Sequence, residues 1–518
     1  MTATRAAFDR ATLAFLAVLL ALTAVRIWAL FESPLGLYFD EAQYWMWSRT
    51  FDWGYFTKPP MVAWVIGATT ALMGTDAEWA VRLGAPLAHA VAAGGVFALT
   101  RSMYGAWPGF WAGLGWLLLP GVFFSSALIS TDAVLLPLWT IALYAMWRLV
   151  NTRAMAWAAV IGVFLGLGVL AKYAMLYFIV CTAFAAWRME TVRQALAGGR
   201  GLVAGLIAAA IVTPNIVWNV NNGFATARHT ASNASLDLGD MFHLDELFEF
   251  IGGQAGVLGP IVFFAAFWAI WRAFTRRDAL VTEDKFLLAY ILPPFVFISA
   301  IAFISRANAN WAAVAYPAII VWMTGLLFTS ANGRRWLVGS NVVNAAIGVA
   351  LAFVVVTMPG LANQAKGIRT AQGWDQTARE IALRAATQPG EAPFTAVLVD
   401  DRATYFELNY YWRHARRAGA PLPPVRMWLL QAEAYNSAEA SDPMRAEESG
   451  RVLVVHLQPS YIPFVAGDFT VFRTVEHLTV PLGGGVNREM DISVGEGFAP
   501  APRDAAFQER LDAARSGD

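Results

Sequence analysis

About eleven apolar stretches between residues 11 and 357 dominate this chain, each close to the roughly 20 residues that a helix needs to cross a bilayer. They fall near 11–31, 77–100, 107–129, 133–150, 154–171, 173–188, 201–218, 247–271, 284–304, 308–328 and 336–357. In hydrocarbon every backbone donor and acceptor must be satisfied within the chain, so such a sequence folds as a helix bundle. The composition agrees: 58% of residues are apolar and only 14% charged, whereas soluble domains run nearer a quarter charged. The stretch 61–73, MVAWVIGATTALM, is short for a span and follows Pro59-Pro60, so it reads as a helix lying at the interface. The first apolar run follows a basic start and has span length, which reads as a retained helix rather than a signal peptide.

Orientation follows from Lys and Arg in the short connections. Arg5 and Arg10, Arg101, Arg148 and Arg153, Arg188, Arg193 and Arg200, then Arg272, Arg276, Arg277 and Lys285, and Arg334 and Arg335, recur at every second connection. That side is expected to be cytoplasmic. The 32–76 loop, Asp132, Lys172, the 219–245 loop and Asn308 then face outward, and so does everything after 358. From there the pattern changes. TAVLVDDRATYFELNYYWRHA reads as a buried strand and an amphipathic helix, and RVLVVHLQ and DFTVFRTVEHLTV as further strands. The expected architecture is a mainly α, polytopic membrane module over 1–357 and a soluble α/β domain over 358–518 that ends in a polar tail.

Several function classes are excluded. The net charge is zero, so nothing draws the chain to nucleic acid. Cys181 is alone, which rules out an internal disulfide. No GxGxxG or GxxxxGK[ST] loop is present, and no zinc-ligand spacing.

Chemistry-bearing residues concentrate in YFDEAQYWMWSRTFDWGYFTKPP at 38–60. A charged aromatic loop held against a membrane span is a functional candidate by default. Asp40 is a favoured helix-capping residue, and Glu41 would then sit at the positive end of the helix dipole. The same carboxylates, walled by Tyr38, Phe39, Tyr44, Trp45 and Trp47, also suit a general base. Lys58 is stiffened by two prolines and suits a lipid phosphate. Asp132 in ISTDAVLLPLW can cap its helix. Lys172 in VLAKYAMLY runs against the positive-inside bias. Arg228 and His229 lie in the 219–245 loop, and Arg306, Asn308 and Asn310 form a polar turn before Tyr316-Pro317.

The stretch DEAQYWMWSRTFDWGYFTKPPMVAW resembles the first outer loop of the bacterial glycosyltransferase family 39/83 group. These are GT-C membrane enzymes related to protein O-mannosyltransferases and to the lipid A aminoarabinose transferase. The resemblance covers roughly 1–330, with STDA at the second outer turn, AKY at 171–173 and PNIVWNVNNGFATARHT at 214–230. It implies a polyprenyl-phosphate sugar donor, such as undecaprenyl phosphate, and transfer with inversion to an acceptor hydroxyl on the outer face. Asp40 matches the family's catalytic carboxylate, with Glu41 beside it, and Asp132 its second essential acid. Lys58 and Lys172 match its phosphate-holding lysines. Gln43, Tyr44, Arg228, His229, Asn308 and Tyr316 complete the expected substrate-binding set.

Two departures stand out: Gln43 replaces an arginine of the aminoarabinose enzyme, and Thr57 an acidic neighbour of the lysine. Both bear on the substrate and on use of a divalent metal; no other cofactor is implied. Lipid A or lipopolysaccharide, another surface polymer, or a secreted protein would each serve as acceptor. The competing class is a transporter or flippase of lipid-linked sugars, which would carry charge at mid-membrane and an internal repeat. A receptor is weaker, since the distal domain lacks a chemical signature.

Overall fold

A computed structural model describes residues 9–224, 226, 242–386 and 391–516. Packing divides the described chain into two units. The first comprises 9–32, 52–54 and 58–352; the second comprises 33–51, 55–57 and 353–516.

The first unit is a helix bundle. Seven of its helices are long and apolar enough to cross a membrane: Arg10–Phe31, Glu78–Tyr104, Thr131–Thr152, Arg200–Asn221, Thr282–Ile304, Ala309–Phe328 and Ala331–Thr357. Met61–Met73, Met155–Ala171 and Tyr173–Arg188 are apolar but shorter. The protein is therefore a multi-pass membrane protein, while a number of eleven spans rests on the sequence alone.

Two predicted spans are broken, each at a proline. The 107–129 stretch forms Ala106–Leu118 and Pro120–Ser125, with Leu119 forced out of the helical region ahead of Pro120. The 247–271 stretch forms Leu244–Leu258 and Pro260–Thr275, bent by 120°. Gly259 makes that bend at φ 81°, and a Cβ there would strike Asn344. Buried Asn344 donates to the Leu258 carbonyl at 3.3 Å, satisfying a group that the break releases.

The second unit contains a five-stranded mixed sheet. Its strands are β1 (Ala396–Val399), β2 (Val425–Met427), β3 (Val452–His456), β4 (Phe469–Gly483) and β5 (Val486–Phe498), in the order β2-β1-β3-β5-β4. β1 runs parallel to both β2 and β3, while β5 is antiparallel to β3 and β4. Every residue of β1 and β3 is buried, as expected of parallel strands covered on both faces. The long β4–β5 hairpin turns at Gly483-Gly484-Gly485, all at positive φ, where side chains are strained.

The expected polar tail is instead the helix Ala505–Ser516. Its Phe507 and Leu511 are buried against Trp428, Val454 and Phe469. Arg503 anchors its start on buried Asp468 at 2.5 Å. A pair of apolar residues four apart is a weak signal in so polar a segment, which is why the sequence reads as a tail.

Candidate active site

In the second unit the helix Phe39–Trp47 carries the acidic motif. Glu41, fully buried, accepts the Tyr38 backbone N–H at 2.9 Å and closes a capping box. Its carboxylate is thereby committed to the helix terminus. Asp40, next to it, keeps over a third of its side chain exposed. Burial, with Asp40 adding to it, pushes the Tyr38 phenol up from its ordinary range, against the pull of Arg402.

The aromatic residues of this helix dock it on the α/β fold. Trp45 meets the edge of Tyr410 with ring centres 5.0 Å apart. Trp47 stacks on Tyr55 at 4.8 Å and donates its indole N–H to Ser437 at 3.0 Å. Tyr44 is buried with its ring 5.5 Å from Trp47. These rings are scaffold for the motif, and the helix Arg402–Tyr411 is their principal support.

The two departures from the family pattern meet each other. Gln43 donates through Nε2 to Thr57 Oγ1 at 3.0 Å, both side chains being buried. The bond joins two neutral groups.

Arg402 was not anticipated. It is the first residue of its helix and follows Asp400 and Asp401 at the end of β1. Its guanidinium lies 3.8 Å from the Asp40 carboxylate and 4.7 Å above the centre of the Phe39 ring. Half-buried Asp401 caps the same helix, accepting from Ala403 at 2.7 Å and Thr404 at 3.3 Å. The signal in the sequence was a basic residue set where a helix start favours acids.

The first unit holds a second cluster. Asp132 lies in the first turn of Thr131–Thr152, which Ser130 caps. One of its oxygens accepts from Lys172 Nζ at 2.7 Å, the other from Asn310 Nδ2 at 2.8 Å. Acid at a helix start and lysine at the end of Met155–Ala171 are both favoured by helix dipoles. Asn310, two residues after the expected Asn308, makes the contact; Asn308 itself is exposed. Tyr316 is buried, with its hydroxyl 2.7 Å from Gln254 Oε1 and 2.9 Å from the Ala309 carbonyl, so it braces the turn carrying Asn310.

The segment Asp52–Gly54 belongs to this unit too. Asn215 donates to the Trp53 carbonyl at 2.6 Å and accepts from the Tyr173 hydroxyl at 3.1 Å, and Asn219 donates to that hydroxyl at 3.2 Å. Trp64 donates to the Asp52 carbonyl at 3.0 Å. This network ties Asp52–Gly54 to the turn that bears Lys172. Asn215 and Asn219 are buried polar residues four apart in an apolar helix, a signal that the sequence reading passed over. Lys58 is half-buried, and buried Pro59 and Pro60 lead into Met61–Met73. Arg228 and His229 lie outside the described residues. Among the described residues, no group of three or more His, Cys, Asp or Glu is arranged to hold a metal ion.

Residues 57–218 match the family described as dolichyl-phosphate-mannose-protein mannosyltransferase. The chain is 34% identical over 455 residues to the lipid A galacturonosyltransferase RgtD of Rhizobium johnstonii, covering 85% of this chain and 89% of that one. The fold is similar to crystal structures of ArnT from Cupriavidus metallidurans. The apo form matches with a TM-score of 0.57 at 16% identity, over 96% of this chain and 98% of that one. The form bound to undecaprenyl phosphate matches with the same score and identity, over 95% and 99%.

Proposed function

The chain belongs to the GT-C membrane glycosyltransferases, and on that premise we propose that it transfers a hexuronic acid from a polyprenyl monophosphate to a hydroxyl of lipid A. The observation that carries this reading is the identity of 34% over 85% of the chain to a lipid A galacturonosyltransferase. The similarity to a fold solved with undecaprenyl phosphate supports a donor of that type.

The roles follow from the chemistry of each group. Asp40 keeps an exposed carboxylate, whereas Glu41 does not, so Asp40 takes the acceptor proton. The acceptor oxygen forms a bond to the anomeric carbon as the bond from that carbon to the phosphate oxygen breaks. The configuration inverts, and polyprenyl phosphate leaves with the electron pair. Lys172 and Lys58 meet the charge that grows on the leaving phosphate. Asp132 and Asn310 hold Lys172 in place. An oxocarbenium-like transition state is common to such displacements at an anomeric carbon.

Mass spectrometry of lipid A from a deletion strain tests the function. Loss of one hexuronate mass increment, restored by the gene on a plasmid, is the expected result. An unchanged lipid A spectrum would rule out this acceptor.

The site is further proposed to face the periplasm from the bacterial inner membrane. Single cysteines at the exposed positions Pro34 and Ala440, in a Cys181→Ala background, are expected to react with an impermeant maleimide in intact spheroplasts. Cysteines at Thr152 and Thr275, also exposed, should react only after permeabilisation. The reverse pattern would turn the protein over in the membrane.

A further inference from the structure

Arg402 occupies a costly position. It opens a helix, where the dipole favours anions. Its contact with Asp40, at 3.8 Å, is beyond hydrogen-bonding reach, and both side chains are more than a third exposed. Such a pair contributes little to stability. Among the described residues, none of its N–H donors is hydrogen-bonded. Its structural return is limited to the Phe39 ring and this exposed pair, and a residue that breaks a local rule for so little points to a ligand.

The fold supplies a second argument. β1 is flanked by β2 on one side and β3 on the other, with all three parallel. In open sheets of this kind, ligands are met beyond the carboxyl ends of the strands where the order diverges. Arg402 stands just past the carboxyl end of β1. Phe39 lies against the guanidinium, 4.7 Å from its ring centre, and leaves the fork of donors available.

We propose that Arg402 is the specificity-determining residue that reads the carboxylate of the transferred sugar. The inference rests on the hexuronate reading above. In a hexopyranuronate the carboxylate hangs on the ring carbon that shares the ring oxygen with the anomeric carbon. A group reading it therefore lies beside whichever residue handles the anomeric centre, and Arg402 lies beside Asp40. A planar guanidinium matches a planar carboxylate with two parallel hydrogen bonds, whereas lysine serves phosphate as a point charge. Arg402 also sets a cation between two carboxylates, Asp40 and that of the sugar, which would otherwise repel. A neutral hexose gives the guanidinium nothing to neutralise.

The test uses the full-length protein in nanodiscs with lipid A as acceptor. Two donors are compared, undecaprenyl phosphate carrying galacturonic acid and the same lipid carrying galactose. The wild type should favour the uronate donor. Arg402→Gln should lower kcat/KM for that donor roughly 10–150-fold, the loss of one charge-assisted contact, with the galactosyl donor nearly unchanged. Arg402→Lys should recover part of the preference. The ratio between donors is independent of how much protein folds. If Arg402→Gln leaves that ratio as it was, whether or not both rates fall, Arg402 only positions Asp40 and the inference is overturned. A wild type that prefers galactose, or turns over neither donor, sinks the hexuronate reading itself and takes this inference with it.

Discussion

Asp40→Asn is expected to lower kcat about 10²–10⁴-fold, the usual contribution of a positioned base, and to leave the protein folded. The substitution keeps the size of the side chain and removes only its charge and basicity. The helix that carries Asp40 is held by other groups: the capping box of Glu41 with Tyr38, the stack of Trp47 on Tyr55 and the Trp47–Ser437 hydrogen bond. The ion pair with Arg402 is long and exposed, so its loss costs little stability. Turnover of a radiolabelled polyprenyl donor, normalised to folded protein, measures the effect, and the melting temperature serves as control. A variant with most of the wild-type turnover would mean that Asp40 merely favours the helix terminus electrostatically. Glu41→Gln is the contrasting case: it weakens the capping box, so its effect belongs to stability first.

The fold was legible where one physical constraint acted alone. Apolar runs of span length announced the bundle, and buried apolar runs such as AVLV and VLVVH announced strands, whose parallel pairing only the structure shows. It was less legible where two constraints competed. In 247–271 the hydropathy was that of one span, but Gly259-Pro260 outweighed it, because Asn344 was available to satisfy the opened backbone. That partner lies 86 residues away, at a distance that local pattern does not register. The site divides in the same way. Asp40, Lys172 and Asp132 stand in recognisable motifs. Arg402 and Ser437 reach the motif helix across more than 350 residues of sequence, so no window could link them. The Gln43–Thr57 pair was visible as two separate departures, and only its geometry shows that each explains the other.

Lys172→Ala is expected to lower kcat/KM for the polyprenyl donor about 10²–10³-fold, the cost of removing one preorganised donor from a developing anion. Asp132 is then predicted to act through Lys172. Each of its oxygens already accepts a hydrogen bond, from Lys172 at 2.7 Å and from Asn310 at 2.8 Å, which suits an anchor better than a base. An ammonium has three donors; Asp132 takes one and leaves the others for phosphate. Asp132→Asn should therefore weaken donor use without changing the pH dependence that the acceptor base sets. The decisive measurement is the double-mutant cycle of Asp132→Asn with Lys172→Met. Residues acting as a unit show strong coupling, so Asp132→Asn should cost little once Lys172 is gone. Additive losses in the double variant would make Asp132 an independent catalytic acid. Unchanged donor kinetics in both single variants would remove this cluster from phosphate binding altogether and leave that task to Lys58.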